Sequence, residues 1–437
     1  MHYLVKPAVL RSGAIAVPGD KSISHRALML GAVADGQSVV SGFLRGEDCK
    51  ATLAALRAMG AQIDIGEPTT LHISGVGMRG LRRPAGTLDL GNSGTAMRLL
   101  CGLLCGQPFA ATLVGDASLM RRPMRRVIEP LSRMGARIDS NDGLPPLTVH
   151  GGESLAGIHY SLPVASAQVK SAILLAGLYA DGETSVLEAA PTRDHTERML
   201  QFMGIELQAE GGRIRMPGGQ PVRPADIYVP GDLSSAAFVI LAALLAADGE
   251  VVINGVGMNP TRTGVIEILR QMGAAIEIEN CRSAGLEPVA DLRVRSSSLS
   301  AIDVDPAFVS RAIDEFPVLF IAAAAARGHT RFTGIGELRV KESDRISAMA
   351  EGLRQLGIKV QEFSDGASVQ GGRFTGGVVE SHGDHRVAMS FAVAGAVAKA
   401  PVTILDTDAV DTSFPGFAEL MRSIGADIHV SPGPQPS

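Results

Sequence analysis

One short pattern occurs six times along the chain, and it constrains the fold more than any other feature. It reads Leu or Met, two variable residues, an aliphatic, Gly, a small or aliphatic residue, one variable residue, and an aliphatic. The copies centre on Gly60, Gly135, Gly204, Gly273, Gly357 and Gly425. In the first, Leu56 and Met59 precede the glycine and Ile63 follows it. The apolar residues before each Gly form the buried stripe of an amphipathic helix. The Gly itself suits a helix C-terminus, where a positive φ carries little steric cost. The alternation after it reads as a strand. Each copy is therefore a helix-to-strand connection, and the copies recur at roughly 70-residue intervals.

A second pattern alternates with the first: a small or polar cap followed by an Ala-rich helix with few charges. The six runs start near Ser22, Asn92, Ser166, Asp232, Asp314 and Asp384. Segments such as Val239–Leu245 are apolar all round, so these helices are predicted to be buried on most sides. The unit is thus two helices and several strands, and three units make about half the chain. Solenoid repeats run ~20–45 residues, so units of this length point to compact subdomains. Val17-Pro18-Gly19-Asp20 returns as Val229-Pro230-Gly231-Asp232 and leads each time into a buried helix. These segments are predicted to be the two chain crossings between domains, one of residues 20–230 and one of residues 1–19 joined with 231–437.

Composition then narrows the function. Hydrophobic residues make up 46% of the 437, aromatics only 4%, and Trp is absent. The core must be aliphatic, and stacking on single-stranded nucleic acid is disfavoured. A net charge of −5 argues the same way, because nucleic-acid binders normally carry a basic excess. The N-terminal segment lacks an apolar signal region, and the longest apolar run, Ala236–Ala247, is too short to span a bilayer. A cytoplasmic location without a membrane partner is expected. Cys49, Cys101, Cys105 and Cys281 form no CxxC pair, and Cys101 and Cys105 sit in a helical apolar pattern that reads as packing. No metal-ligand spacing, GxGxxG turn or P-loop is present, so neither a metal nor a cofactor is expected.

The distinctive polar residues collect at the starts of the buried helices. Lys21, Ser22 and Arg26 lie at the first, Asn92, Gly94 and Arg98 at the second, and Ser166, Ala167, Gln168 and Lys170 at the third. Asp314 opens the fifth, and Asp384 and Arg386 the sixth. A helix N-terminus carries unpaired N–H groups and partial positive charge, so it holds anions. Taken singly, Ser22, Asn92, Ser166, Asp314 and Asp384 are ordinary N-caps. Lys21, Arg26 and Arg386 oppose the helix dipole, which implies a negative group between them and the helix. Two clusters lie elsewhere. Arg121–Arg126 reads, as a lone charge run, as a solvated face. Lys341 and Arg345, placed on one helix, would share a face with Glu342 beside them.

In order along the chain, Gly19–Arg26, Leu90–Arg98, Arg122-Pro123-Met124, Ser166-Ala167-Gln168, Lys341–Arg345 and Asp384-His385-Arg386 resemble the motifs of the 5-enolpyruvylshikimate-3-phosphate synthase family, over essentially the whole chain. The resemblance implies an α/β fold, a two-domain inside-out α/β barrel of six βαβαββ repeats, three per domain. It implies transfer of the enolpyruvyl group of phosphoenolpyruvate to shikimate 3-phosphate, without cofactor or metal, by a monomer that glyphosate targets. Shikimate 3-phosphate would lie against Lys21, Ser22, Arg26, Ser166, Ala167, Gln168, Arg193, Asp314 and Lys341. Phosphoenolpyruvate would lie against Lys21, Gly94, Arg122, Gln168, Arg345 and Arg386. Lys21, Asp314 and Glu342 would be catalytic, Asp314 as base and Glu342 as acid.

The sequence departs from the family's pattern in two places. No Lys precedes Phe414-Pro415, and Gly94 is retained although Ser166–Ser171 with Arg193 resembles the glyphosate-tolerant subgroup, whose members often have Ala there. Gly94 is expected to leave the inhibitor room. The alternatives are a UDP-N-acetylglucosamine enolpyruvyl transferase, which uses a reactive loop cysteine, and a non-catalytic binding protein of the same fold.

Overall fold

The computed structural model describes residues 1–66, 68–285 and 287–432. The chain forms two compact units. The amino-terminal unit comprises Gly19–Val229 with Ala284–Glu287. The carboxy-terminal unit comprises Met1–Pro18, Pro230–Ser283 and Pro288–Ser437. Each unit has its own aliphatic core.

Twelve helices alternate in character among the described residues, apart from a four-residue turn at Val309–Ala312. Six are nearly enclosed: α1 (Lys21–Val33), α3 (Gly94–Cys105), α5 (Ala167–Gly177), α7 (Leu233–Leu245), α9 (Phe316–Ala325) and α11 (His385–Ala396). The other six are half-buried: α2 (Glu47–Ala58), α4 (Arg125–Arg133), α6 (His195–Phe202), α8 (Gly264–Gln271), α10 (Arg345–Gln355) and α12 (Phe417–Ser423).

Every half-buried helix ends in the same way. The six pattern glycines take φ between 82° and 99°. At the first, the Gly60 N–H donates to Arg57 C=O at 2.9 Å and the Ala61 N–H to Leu56 C=O at 3.1 Å. The same pair of bonds closes the other five ends, the Schellman arrangement that only a residue tolerant of positive φ completes cheaply. A further device recurs in five of the copies. The residue three before the Gly donates from its side chain to the carbonyl three after it: Arg57 to Ile63, Gln201 to Leu207, Arg270 to Ile276, Arg354 to Val360 and Arg422 to Ile428. It ties each helix end to the strand that follows.

Each unit carries three small sheets. In the amino-terminal unit they share one topology. Strands Ile227–Tyr228, Leu88–Asp89 and His159–Ser161 are edges that pair in parallel with the second strand of their sheets. Two antiparallel pairings complete each sheet. In the carboxy-terminal unit, Gly13–Ala16 and Gly377–Glu380 are the parallel edges of two four-stranded sheets. The third sheet has three strands, and parallel bridges from Ser300 and Asp303 stand in the place of a fourth. The architecture is mixed α/β, and the enclosed helices pack against strands of the small sheets. Among the described residues no helix is long and apolar enough to cross a membrane.

Candidate functional site

In the amino-terminal unit, three enclosed helices present capped N-termini. Asp20 caps α1, accepting from the Ile23 N–H at 2.9 Å, Ser93 caps α3 and Ser166 caps α5. By residue type alone the first two caps read as Ser22 and Asn92. Ser22 instead lies in the first turn of α1. Asn92 sits just outside α3, where its amide donates to Asp116 Oδ2 at 2.7 Å and its Oδ1 accepts from the Arg122 guanidinium. Arg122 is thereby held, largely buried, beside Gly94, while Arg121, Arg125 and Arg126 of the same run are exposed. The solvated-face reading of that run fails for Arg122 alone.

Arg98 joins this group, which the sequence reading did not settle. Its Nη1 donates to Gln168 Oε1 at 2.9 Å, and Gln168 Nε2 donates to Thr95 Oγ1 at 3.0 Å. Gln168 is thus fixed between two residues of α3. Lys21 pairs with Asp48 at 2.8 Å. Behind it, the buried His25 ring meets Thr52 Oγ1 at 2.8 Å, and burial first, then Lys21 and Arg26, lowers its pKa well below the ordinary value, so the ring is neutral.

Arg26 is not poised at the helix mouth with its donors unused. It donates to Thr196 Oγ1 at 2.6 Å, Ser171 Oγ at 2.7 Å and Ser22 C=O at 2.8 Å. Burial pulls its pKa down to about 10 against the opposing pull of Glu197 and Asp20. Lys170, fully enclosed, pairs with Glu197 at 2.5 Å and Glu188 at 3.0 Å. These two cations join α1 and α5 to the segment that carries Arg193 and opens α6. Ala167 is the first residue of α5. The three acceptors of Arg26 are uncharged, so they take up its donors without neutralising its charge.

In the carboxy-terminal unit, six charged side chains converge around Arg345. Its Nε lies 2.8 Å from Asp384 Oδ2, its Nη2 2.6 Å from Glu342 Oε2, and its Nη1 3.5 Å from Asp314 Oδ1. Lys341 Nζ lies 4.0 Å from the same Asp314 oxygen. Arg386 Nη1 donates to the Asp314 carbonyl at 2.9 Å and lies 3.7 Å from Glu315 Oε1. Burial would weaken the Arg345 cation, but Asp384, Glu342 and Asp314 outweigh it and hold its pKa above the ordinary range. Burial would likewise raise the Asp384 carboxyl, and Arg345 outweighs that, leaving it lowered.

Two expectations are corrected here. Lys341 and Arg345 do not share a helix: Lys341 ends the 3-10 turn Gly336–Val340, Asp344 caps, and Arg345 is the first residue of α10. They meet through Asp314 instead. Nor is Asp314 an N-cap. It belongs to the 3-10 turn Ile313–Glu315 that precedes α9, which leaves its carboxylate for other partners.

Sequence reasoning also missed Arg262. It is buried and donates to Asp232 Oδ1 at 3.1 Å and Ser234 Oγ at 2.6 Å, with Glu315 at 3.7 Å. Glu315 thus stands between Arg262 and Arg386. A Glu one position after Asp314, directly ahead of an apolar run, was the available signal.

Chemically, one unit offers anion-binding helix starts with Lys21, Arg122 and Gln168 beside them. The other offers carboxylates able to take and give protons, Asp314 and Glu342, set beside Arg345 and Lys341. Cys101 and Cys105 are shut inside α3, and burial pushes the Cys101 thiol up to about 12 and Cys105 higher still, so neither supplies a thiolate nucleophile.

A sequence model described as EPSP synthase (3-phosphoshikimate 1-carboxyvinyltransferase) matches residues 6–421. The chain is 57% identical over 430 residues to a protein of Alkalilimnicola ehrlichii named 3-phosphoshikimate 1-carboxyvinyltransferase, covering 98% of this chain and 96% of the relative. A Methylococcus capsulatus protein of the same name is 57% identical over 426 residues, 97% of this chain and 98% of its own. A solved EPSP synthase structure from Acinetobacter baumannii superposes with a TM-score of 0.89 at 51% identity, covering 99% of this chain and all of that one. With the match running nearly from end to end, the chain belongs to the EPSP synthase family.

Proposed function

We propose that this chain transfers the carboxyvinyl group of phosphoenolpyruvate to the 5-hydroxyl of shikimate 3-phosphate and releases phosphate, as a step of the shikimate pathway. The family match and the names of its relatives support the reaction. The observation that carries it is Asp314, whose Oδ1 is 4.0 Å from Lys341 Nζ and 3.5 Å from Arg345 Nη1, with Glu342 on the same guanidinium.

In this reading, Asp314 takes the proton of the 5-hydroxyl as that oxygen bonds to C2 of phosphoenolpyruvate, and Glu342 delivers a proton to C3. In the elimination, C3 loses a proton, the C–O bond to phosphate breaks, and the two carboxyls exchange roles. Lys21 offsets developing negative charge. Ser22, Arg26, Ser166, Ala167, Gln168, Arg193 and Lys341 hold shikimate 3-phosphate with Asp314. Gly94, Arg122, Gln168, Arg345 and Arg386 hold phosphoenolpyruvate with Lys21. The departures at Gly94 and before Phe414 bear on that second set.

The domains are residues 20–230 and residues 1–19 with 231–437, an inside-out α/β barrel of six βαβαββ repeats. The enzyme acts as a cytoplasmic monomer without metal or cofactor and binds glyphosate. The test is phosphate release from phosphoenolpyruvate with shikimate 3-phosphate or with UDP-N-acetylglucosamine as acceptor. Release with the first alone supports the reading, and release with the second alone overturns it.

A further inference from the structure

A cavity in the carboxy-terminal unit lies away from the charged cluster, at the C-terminal ends of α7, α9 and α11, and holds about 620 Å³. That is the size of a small-molecule site. Its lining carries three cations, Arg327, Arg373 and Lys399, and no acidic residue. Among the described residues, none of the three side chains makes a hydrogen bond or an ion pair, in contrast to Arg262, Arg345 and Arg386 of the same unit.

The plain explanation for cations at this place is that they neutralise helix C-termini. The hydrogen bonds argue against it. The end carbonyls are already taken: Leu244 by the Ser297 N–H at 2.9 Å, Ala246 by Ser296 Oγ at 2.5 Å, Ala324 by the Gly372 N–H at 2.9 Å, and Ala396 by the Ala8 N–H at 3.0 Å. Three helix ends bring about half a negative charge each, against three full positive charges. The excess stays positive, and nothing in the cavity wall answers it. Three like charges around one depression repel one another, and the chain as a whole is acidic at −5. A local surplus of this kind is relieved by an anion with several charges.

We propose that this cavity is a second binding site, for a multiply charged oxyanion of metabolite size, either a phosphate ester or a polycarboxylate. Arg327 and Arg373 supply planar forks for paired oxygens, Lys399 a third charge, and the Ser298 side chain a hydroxyl. The site differs from the helix-start sites in construction: side chains alone hold the anion, because the backbone here presents carbonyls.

The experiment is calorimetric titration of the full chain with two probes, inorganic tripolyphosphate and citrate, at low and at moderate ionic strength. Three proteins are compared: the unaltered chain, Arg327→Ala/Arg373→Ala/Lys399→Ala, and Arg82→Ala/Arg83→Ala/Arg126→Ala. The last removes the same charge from exposed positions elsewhere. The cavity variant is expected to lose one class of binding, at least tenfold in affinity, with phosphoenolpyruvate turnover within twofold of the unaltered chain. The control variant is expected to keep it. The probe that shows the larger loss tells phosphate ester from polycarboxylate. Equal affinities in the unaltered chain and the cavity variant, or an equal loss in the control variant, overturn the proposal.

Discussion

The Asp384 carboxylate and the Arg345 guanidinium meet side-on, Oδ2 2.8 Å from Nε and Oδ1 3.3 Å from Nη2, with both groups closed off from water. The same carboxylate caps α11, accepting from the Arg386 N–H at 2.9 Å. One side chain therefore fixes a helix start and balances a buried cation. Removing it leaves the cation under-compensated in a dry site, a loss of about 3–5 kcal/mol. Asp384→Ala is expected to lower unfolding stability by that amount in urea titration. Asp384→Asn keeps the cap acceptor and should lose less. Equal losses would mean that charge, not capping, is what Asp384 supplies.

Asp314 and Glu342 share Arg345, and Asp314 also lies 4.0 Å from Lys341 Nζ. Asp314→Asn and Glu342→Gln should each reduce turnover by about 10²- to 10⁴-fold, the range for loss of a general acid or base. Shikimate 3-phosphate binding, read by calorimetry, should persist in both. Turnover within a few-fold of the unaltered chain would remove that residue from the proton transfers.

The repeats were legible because a helix stripe, a positive-φ glycine and a strand each leave a periodic mark, and Gly60 through Gly425 show all three. Bonds between distant residues leave none. Arg98 and Gln168 meet across 70 positions, and nothing in either segment names the other. The side-chain clamp from Arg57 to Ile63 was visible in principle, as a long donor three before most of the glycines, but the pattern treats that position as variable. The Asp314 error has a plain cause. Pro317 belongs in the first turn of a helix, which starts α9 at Phe316 and leaves Asp314 outside it. Ser22 and Asp20 are equally good caps by type, and only the backbone decides between them.

Gly94 sits where a methyl group has no free space. A Cβ built there lies 2.8 Å from Arg98 Nη1 and 3.2 Å from Arg122 Nη1. Both are flexible ends, so the fold survives, but Arg98 must give up its place on Gln168. Losing a charged hydrogen bond costs about 1.5–3 kcal/mol. Gly94→Ala should raise the KM for phosphoenolpyruvate about tenfold and raise the inhibition constant of glyphosate by more. Steady-state kinetics with both ligands checks this, and equal inhibition constants in the two proteins refute it.

Glu197 predicts a pH dependence of stability. Burial raises its carboxyl pKa above the ordinary carboxylate value despite Lys170. A folded-state pKa above the unfolded one means that the native chain holds more protons, so this residue's contribution falls as pH rises from about 4.5 through the folded pKa. Glu197→Gln removes that term. The stability of the unaltered chain minus that of Glu197→Gln should therefore decline across that interval and level off above it. A difference that rises with pH would show that Lys170 outweighs burial.

Gly102 lets two enclosed helices touch. It lies in α3 against α5, and a Cβ there would stand 2.2 Å from the Ala172 carbonyl oxygen and 2.8 Å from its Cα. These are backbone atoms, which cannot swing aside as an arginine end can. The helices would have to separate, and the residues carried at their starts, Gly94 on one and Ser166 to Gln168 at the other, would separate with them. Overpacking a tight core costs about 1–3 kcal/mol, and rigid backbone on the far side puts Gly102→Ala at the upper end. Gly86, exposed and with no atom within 4 Å of a Cβ, is the matched control, for which a change within about 0.5 kcal/mol is expected. Urea unfolding of the two variants measures the difference. The kinetic consequence separates this site from a plain stability defect: at temperatures where Gly102→Ala stays folded, its KM for phosphoenolpyruvate should still be raised, because Gln168 reaches Thr95 and Arg98 across the contact that Gly102 makes possible. An unchanged KM would mean that the helix starts hold their spacing without it.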